Sequence, residues 1–74
     1  MFTGKTQYKQ DFAQRLQAVL DEMEINETMF ACLTEIPLAT VHNYISGHTM
    51  PNAYNVMKIA RALCVDANEL LGVM

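Results

Sequence analysis

The sequence predicts a small all-α domain. Apolar residues recur at spacings of three and four along most of its length, as they do on the buried face of a helix. Residues that cap or stop helices divide this pattern into five short segments, and no stretch alternates apolar and polar residues as a half-buried strand would. With 74 residues, 51% of them hydrophobic, the chain forms one domain with enough apolar material for a single core.

The first helix is predicted from about Tyr8 to Met23, with residues 1–7 as a loose N-terminal arm of the 1–74 domain. Its apolar residues recur at helical spacing. They are Phe12, Leu16, Val19, Leu20 and Met23.

Two short helices are predicted next. Asn26 is a good N-cap for a helix over about Glu27 to Leu33. We expect this helix to bury Phe30, Ala31, and either Leu33 or Thr34. Pro37 favours the first turn of a third helix that runs to about Ile45 or Ser46, where Gly47 supplies a left-handed stop. Val41, Tyr44 and Ile45 should face inward.

The last two helices follow a loop that ends at Asn52, the expected cap of the fourth. Asp66 and Glu69 have capping-box spacing and open a short fifth helix that carries Leu70 and Leu71. The apolar stripe expected on the fourth helix is Val56, Met57, Ile59, Ala60 and Leu63.

Composition argues against several classes of protein. No apolar run approaches the roughly 18 residues needed to span a bilayer, and Met1–Gln10 lacks the apolar core of a secretory signal. Cys32 and Cys64 lie inside apolar helical patterns, which predicts two buried free thiols rather than a disulfide. The spacing of cysteines and histidines matches no metal site, so we expect no metal and no cofactor. Nor does any constellation of catalytic type suggest an enzyme.

Several residues stand in a characteristic order along the chain. They are Phe30-Ala31, Ile36 after the turn, Thr40-Val41, Gly47, Pro51, the segment 59–65, and Glu69-Leu70-Leu71. This order resembles the lambda-repressor/Cro-like helix-turn-helix family, also called the xenobiotic-response-element type, over about residues 12–72. The resemblance implies a compact five-helix DNA-binding domain with its helix-turn-helix at about 27–46.

The chain departs from the family pattern at three places. Glu35 stands at the turn where glycine is common, so it must adopt a left-handed conformation at a cost of roughly 1 kcal/mol, or the turn must differ. Cys64 replaces a common helix-ending glycine. Leu20 and Ile45 stand where many members carry a paired arginine and glutamate, which predicts an apolar contact between these two side chains.

In such a domain the third helix enters the major groove. The resemblance then implies four base-reading residues, Leu38, Ala39, Thr40 and Asn43. Asn43 could form two hydrogen bonds with adenine, and Leu38 and Ala39 could contact thymine methyl groups. Each residue also has a plainer interpretation: Thr40 could only cap the helix, Leu38 could belong to a protein contact, and His42 is more simply a solvated surface residue.

Phosphate contacts are expected from residues around the second and third helices and from a basic N-terminal cluster. They are Asn26, Thr28, His48, Thr49, Asn52, Lys5 and Lys9. The net charge of −3 conflicts with this role, because neutralisation of phosphates supplies much of DNA affinity. Glu27 adds a like charge beside the phosphates that the second helix would bind.

So few cations imply that affinity depends on a homodimer bound to two half-sites of an operator. The interface is predicted from C-terminal apolar residues in excess of one small core: Val65, Leu70, Leu71, Val73 and Met74. The resulting hypothesis is a cytoplasmic, nucleoid-associated transcription regulator, repressor-like and encoded by a bacterium, phage or mobile element. The alternative is the same acidic fold used for protein–protein interaction, as an antirepressor or adaptor.

Overall fold

The computed structural model describes residues 5–72, and the side chains of residues 9–72. Its five helices are α1 (Lys5–Met23), α2 (Glu27–Thr34), α3 (Leu38–Ser46), α4 (Ala53–Leu63) and α5 (Ala67–Leu71). No strand occurs within this part of the chain, so the predicted all-α class is confirmed. No helix in the described range is long and apolar enough to cross a membrane.

The start of α1 corrects the predicted N-terminal arm. The helix begins at Lys5 rather than near Tyr8, so residues 5–7 belong to it, while residues 1–4 lie outside the described residues. The physical reason is local, because no glycine or proline follows Gly4 until Pro37, and Lys and Gln are good helix formers.

The predicted N-caps are confirmed at three helices. Asn26 Oδ1 accepts a hydrogen bond from the Met29 amide at 2.8 Å, and Asn52 Oδ1 caps α4 in the same way. Asp66 caps α5, although its carboxylate accepts from the Asn68 amide (2.9 Å) and not from Glu69 as in a capping box. At α3 the N-cap is Pro37 and no side chain caps the helix, so Thr40 has no capping role.

Left-handed residues end each of the first four helices. Gly47 does so at φ +83°, as predicted for a helix-ending glycine. Glu24, Glu35 and Cys64 adopt φ of 59°, 60° and 57°, a conformation that costs a residue with a Cβ about 1–2 kcal/mol. The turn at Glu35 therefore keeps the left-handed geometry that glycine would adopt.

The core lies between the five helices, each of which contributes buried side chains to it or packs against two others. α1 packs against α3 and α5, α2 packs against α3 and α4, and α4 packs against α5. The buried side chains in this cluster are Phe12, Leu16, Leu20, Phe30, Ile36, Val41, Tyr44, Ile59, Ala60, Leu63 and Leu70. Most of them are the apolar positions that the periodicity selected.

Some apolar residues assigned to the core are at the surface instead. Met57 is 55% exposed and Met23 is 44% exposed, so the buried stripes of α4 and α1 are narrower than predicted. On α2 the buried member of the alternative pair is Thr34, whose hydroxyl donates to the Phe30 carbonyl at 2.8 Å. Leu33 is 51% exposed.

The prediction of buried cysteines is wrong. Cys32 and Cys64 are both exposed free thiols. Cys32 precedes exposed Leu33 on the outer side of α2, and Cys64 stands at the left-handed end of α4. Helical periodicity alone did not distinguish these rim positions from the core.

The contact between Leu20 and Ile45 stays a prediction. Leu20 is buried in the core cluster, and Ile45 is half-buried and packs against that cluster from α3. Leu20 and Ile45 thus place apolar side chains, and no charge, on the two helices α1 and α3 that pack against each other.

Candidate functional site

Helix α3 has two chemically different faces. Val41 and Tyr44 are buried in the core, at 0% and 5% exposure. The opposite face follows the helical spacing i, i+1, i+4, i+5, i+8 and consists of exposed small or polar side chains headed by one leucine. These residues are Leu38, Ala39, His42, Asn43 and Ser46.

Three of the four predicted base-reading residues lie on this exposed face. Leu38 is 47% exposed, and Ala39 and Asn43 are exposed as well. Thr40 is half-buried at the edge of the face. The structure therefore brings the predicted set together on one side of α3, with Thr40 in a marginal position.

The backbone and one polar contact hold α3 in place. Buried Ile36 anchors the turn between α2 and α3, next to left-handed Glu35. On the inner face, Asn55 Nδ2 donates a hydrogen bond to the Tyr44 hydroxyl at 2.9 Å and so ties α3 to α4. The exposed face is thus presented by a helix that is fixed at its start and along its inner side.

A contact between side chains joins the start of α2 to the exposed face of α3. His42 Nδ1 lies 3.2 Å from Glu27 Oε1, which makes the contact an ion pair when the imidazole is protonated. The two side chains are 62% and 40% exposed. Sequence reasoning missed this contact because its partners are fifteen residues apart and no local pattern connects them.

A second histidine lies at the other end of α3. His48 Nδ1 is 2.6 Å from Ser46 Oγ, and the backbone amides of His48 and Thr49 both donate to the Asn43 carbonyl. Since those amides close the helix, the predicted phosphate contacts of His48 and Thr49 depend on their exposed side chains alone.

Three of the other predicted phosphate-contacting residues, Asn26, Thr28 and Asn52, are also exposed. Asn26 and Asn52 use Oδ1 for capping, which leaves each side-chain NH₂ group as a donor, and Thr28 is exposed in the first turn of α2. Lys9 is half-buried on α1, and the side chain of Lys5 lies outside the described residues.

The charge around this surface is unusual for a DNA-binding face. The segment 26–52 contains no lysine or arginine, so its two histidines are the only side chains there that can become positive. Asp21, Glu24 and Glu27 surround a surface depression at the junction of α1 and α2. Acidic charge therefore lies beside the N-terminus of α2, where phosphate binding was expected.

The remaining described cations lie elsewhere on the molecule. Lys58 stacks over the ring of Tyr54 at 5.3 Å on α4, and Arg61 lies on the same helix. The guanidinium group of Arg15 covers Gly72 so closely that a Cβ at that glycine would overlap it. None of these three groups belongs to α2, α3 or the loop after α3.

The predicted dimer interface needs a correction at Leu70. Its side chain is 1% exposed in the single chain because it fills the core between α1, α4 and α5, so it is not available to a partner. Val65 and Leu71 are half-buried against the same core. Val73 and Met74 lie outside the described residues.

Comparison with known proteins adds no relative to this description. No model of a protein family, no curated protein and no solved structure matches the chain.

Proposed function

We propose that this chain is a sequence-specific DNA-binding transcription regulator of the lambda-repressor/Cro-like type, with α3 in the major groove. The observation that carries the proposal is the division of α3 between a buried inner face and an exposed face of small and hydrogen-bonding side chains. The helix follows α2 through a tight left-handed turn, as a recognition helix does in a helix-turn-helix.

The exposed face offers specific base chemistry. Asn43 presents an amide that can donate to adenine N7 and accept from adenine N6. Leu38 and Ala39 offer aliphatic surface for thymine methyl groups, and the Thr40 hydroxyl at the edge suits a base or a phosphate. Together they favour A·T-containing half-sites.

The low positive charge shapes how such a protein would bind. With no lysine or arginine in segment 26–52, we expect on the order of two to four phosphate neutralisations per protomer. Adequate affinity then needs a homodimer bound to two half-sites about one helical turn apart. The bound dimer would regulate transcription by occluding a promoter. With Leu70 in the core, Val65 and Leu71 are the described residues of the predicted interface that remain partly accessible.

The test is selection of binding sites from random double-stranded DNA at low salt, followed by fluorescence anisotropy on the enriched sequence. Asn43→Ala should weaken binding to the enriched site by roughly 1–3 kcal/mol and leave binding to random DNA unchanged. The matched control is Asn68→Ala, which removes an exposed asparagine on α5 and should change neither binding affinity. If micromolar protein enriches no sequence, the proposal is wrong.

A second candidate function is binding of another protein through the same face. Two observations favour it: Leu38 leaves 47% of its surface exposed at the head of α3, and Glu27 places a carboxylate beside His42. Exposed apolar surface beside a carboxylate, which repels the phosphates of DNA, suits a protein partner better than DNA. The same selection separates the two candidates, because this one predicts no enriched sequence.

A further inference from the structure

The contact between Glu27 and His42 assigns a role to two side chains outside the predicted base-reading set. We propose that His42 reads a base in the major groove and that Glu27 is its positioning residue. This inference rests on the proposed function and deepens it, since it names the chemical group that this part of α3 recognises.

The carboxylate determines which ring nitrogen of His42 carries hydrogen. An ionised carboxylate can only accept hydrogen bonds, so at a separation of 3.2 Å from Glu27 Oε1 the Nδ1 atom must be the donor. In a neutral imidazole with hydrogen on Nδ1, Nε2 is an acceptor. The ring is 62% exposed on the same face as Asn43, so this acceptor is available to a ligand.

An acceptor in the major groove selects particular bases. The donors exposed there are the amino groups of adenine N6 and cytosine N4. Neutral His42 would therefore prefer adenine or cytosine at its position. A protonated ring donates from Nε2 and would prefer guanine, whose N7 and O6 are acceptors.

The charged partner that the structure gives the ring is acidic. Glu27 of α2 lies 3.2 Å from His42 Nδ1, and Asp21 and Glu24 line the same surface depression as Glu27. Glu27 opposes the approach of phosphates and therefore lowers affinity for any DNA. A residue that orients His42 while repelling DNA has two separable effects, which a purely structural residue would not have.

The experiment compares four variants on the wild-type selected site and on random DNA. Glu27→Ala removes the acceptor and the charge; we expect a loss of roughly three- to tenfold in preference at one base position, with tighter binding to random DNA at low salt. Glu27→Gln keeps an acceptor, so the preference should persist while binding to random DNA still tightens. His42→Ala should lose the preference at the same position, and Glu69→Gln on α5 controls for net charge.

A measurement on the free protein keeps the two proposals distinguishable. Nitrogen-15 NMR of the imidazole at pH 8 should show His42 with hydrogen on Nδ1 in the wild type, and a mixture of tautomers in Glu27→Ala. A wild-type ring with hydrogen on Nε2 overturns the positioning role whatever the DNA results are. Retained sequence-specific binding with unchanged preference in both alanine variants overturns the inference alone, whereas no selected site overturns the base-reading role together with the proposed function.

Discussion

The turn between α2 and α3 provides the sharpest test of how this sequence forms its fold. Glu35 adopts φ +60°, where the Cβ atom of an L-residue crowds the backbone and costs about 1–2 kcal/mol. Glycine avoids that cost, but it has more freedom to lose on folding, which offsets about 0.4–1 kcal/mol. Glu35→Gly should therefore stabilise the domain by about 0.5–1 kcal/mol, and raise its Tm by about 2–8 °C for a chain of this size.

Two controls separate the backbone effect from the loss of charge. Glu35→Ala removes the same carboxylate but keeps a Cβ, so the difference between the glycine and alanine variants isolates the conformation. Ala18→Gly in the exposed middle of α1 should have the opposite sign and destabilise by roughly 0.5–1 kcal/mol.

The measurement is urea and thermal unfolding followed by circular dichroism. A Glu35→Gly variant that is no more stable than Glu35→Ala would refute the reasoning, since the cost of the left-handed conformation would then not exceed the entropy that glycine loses on folding. Cys64→Gly against Cys64→Ala repeats the comparison at φ +57° with no charge involved, and should give a gain of similar size.

Three further outcomes follow from the packing and the charge. Leu70→Ala should lower the free energy of unfolding by about 2–5 kcal/mol, while Leu71→Ala, at a half-buried position, should lower it clearly less. A Leu70→Ala monomer as stable as the wild type would contradict the core position of Leu70 and favour its predicted place in the dimer interface. Tyr44→Phe removes the acceptor of the Asn55 hydrogen bond and should cost about 1 kcal/mol in urea unfolding, whereas no change would mean that water replaces it freely. On a selected DNA site, the logarithm of the binding constant should fall with the logarithm of salt concentration with a slope of only about −2 to −4 per protomer; a much steeper slope would show that more cations reach the phosphates than the charge distribution allows.

Helix boundaries were the part of this fold most accessible from local sequence. A cap such as Asn26 or Asn52 bonds an amide three residues away, and Gly47 ends its helix through its own backbone conformation. Interactions of such short range depend on neighbours in sequence, so they can be predicted without knowledge of the tertiary packing. The early start of α1 at Lys5 was missed because helix propensity without an apolar stripe gives little evidence of a helix.

Tertiary packing decided which of the apolar residues are buried and which stay exposed. Periodicity places Met57 and Leu70 on apolar faces alike, yet one is exposed and the other is buried. Which edge of a stripe is covered depends on how neighbouring helices rotate and how far they extend. Short α5 packs against α1 and α4 and buries its own Leu70 there, whereas Met57 on α4 stays exposed.

The chemistry of the exposed face of α3 is divided in the same way. Spacing along the helix was enough to place Leu38, Ala39 and Asn43 together, because one helix determines its own faces. The contact between Glu27 and His42 needed two helices to be set against each other, since its atoms meet only after the turn at Glu35 folds α3 back onto α2. Local bonds thus determined the helices and their outward residues, while packing between helices determined which side chains meet.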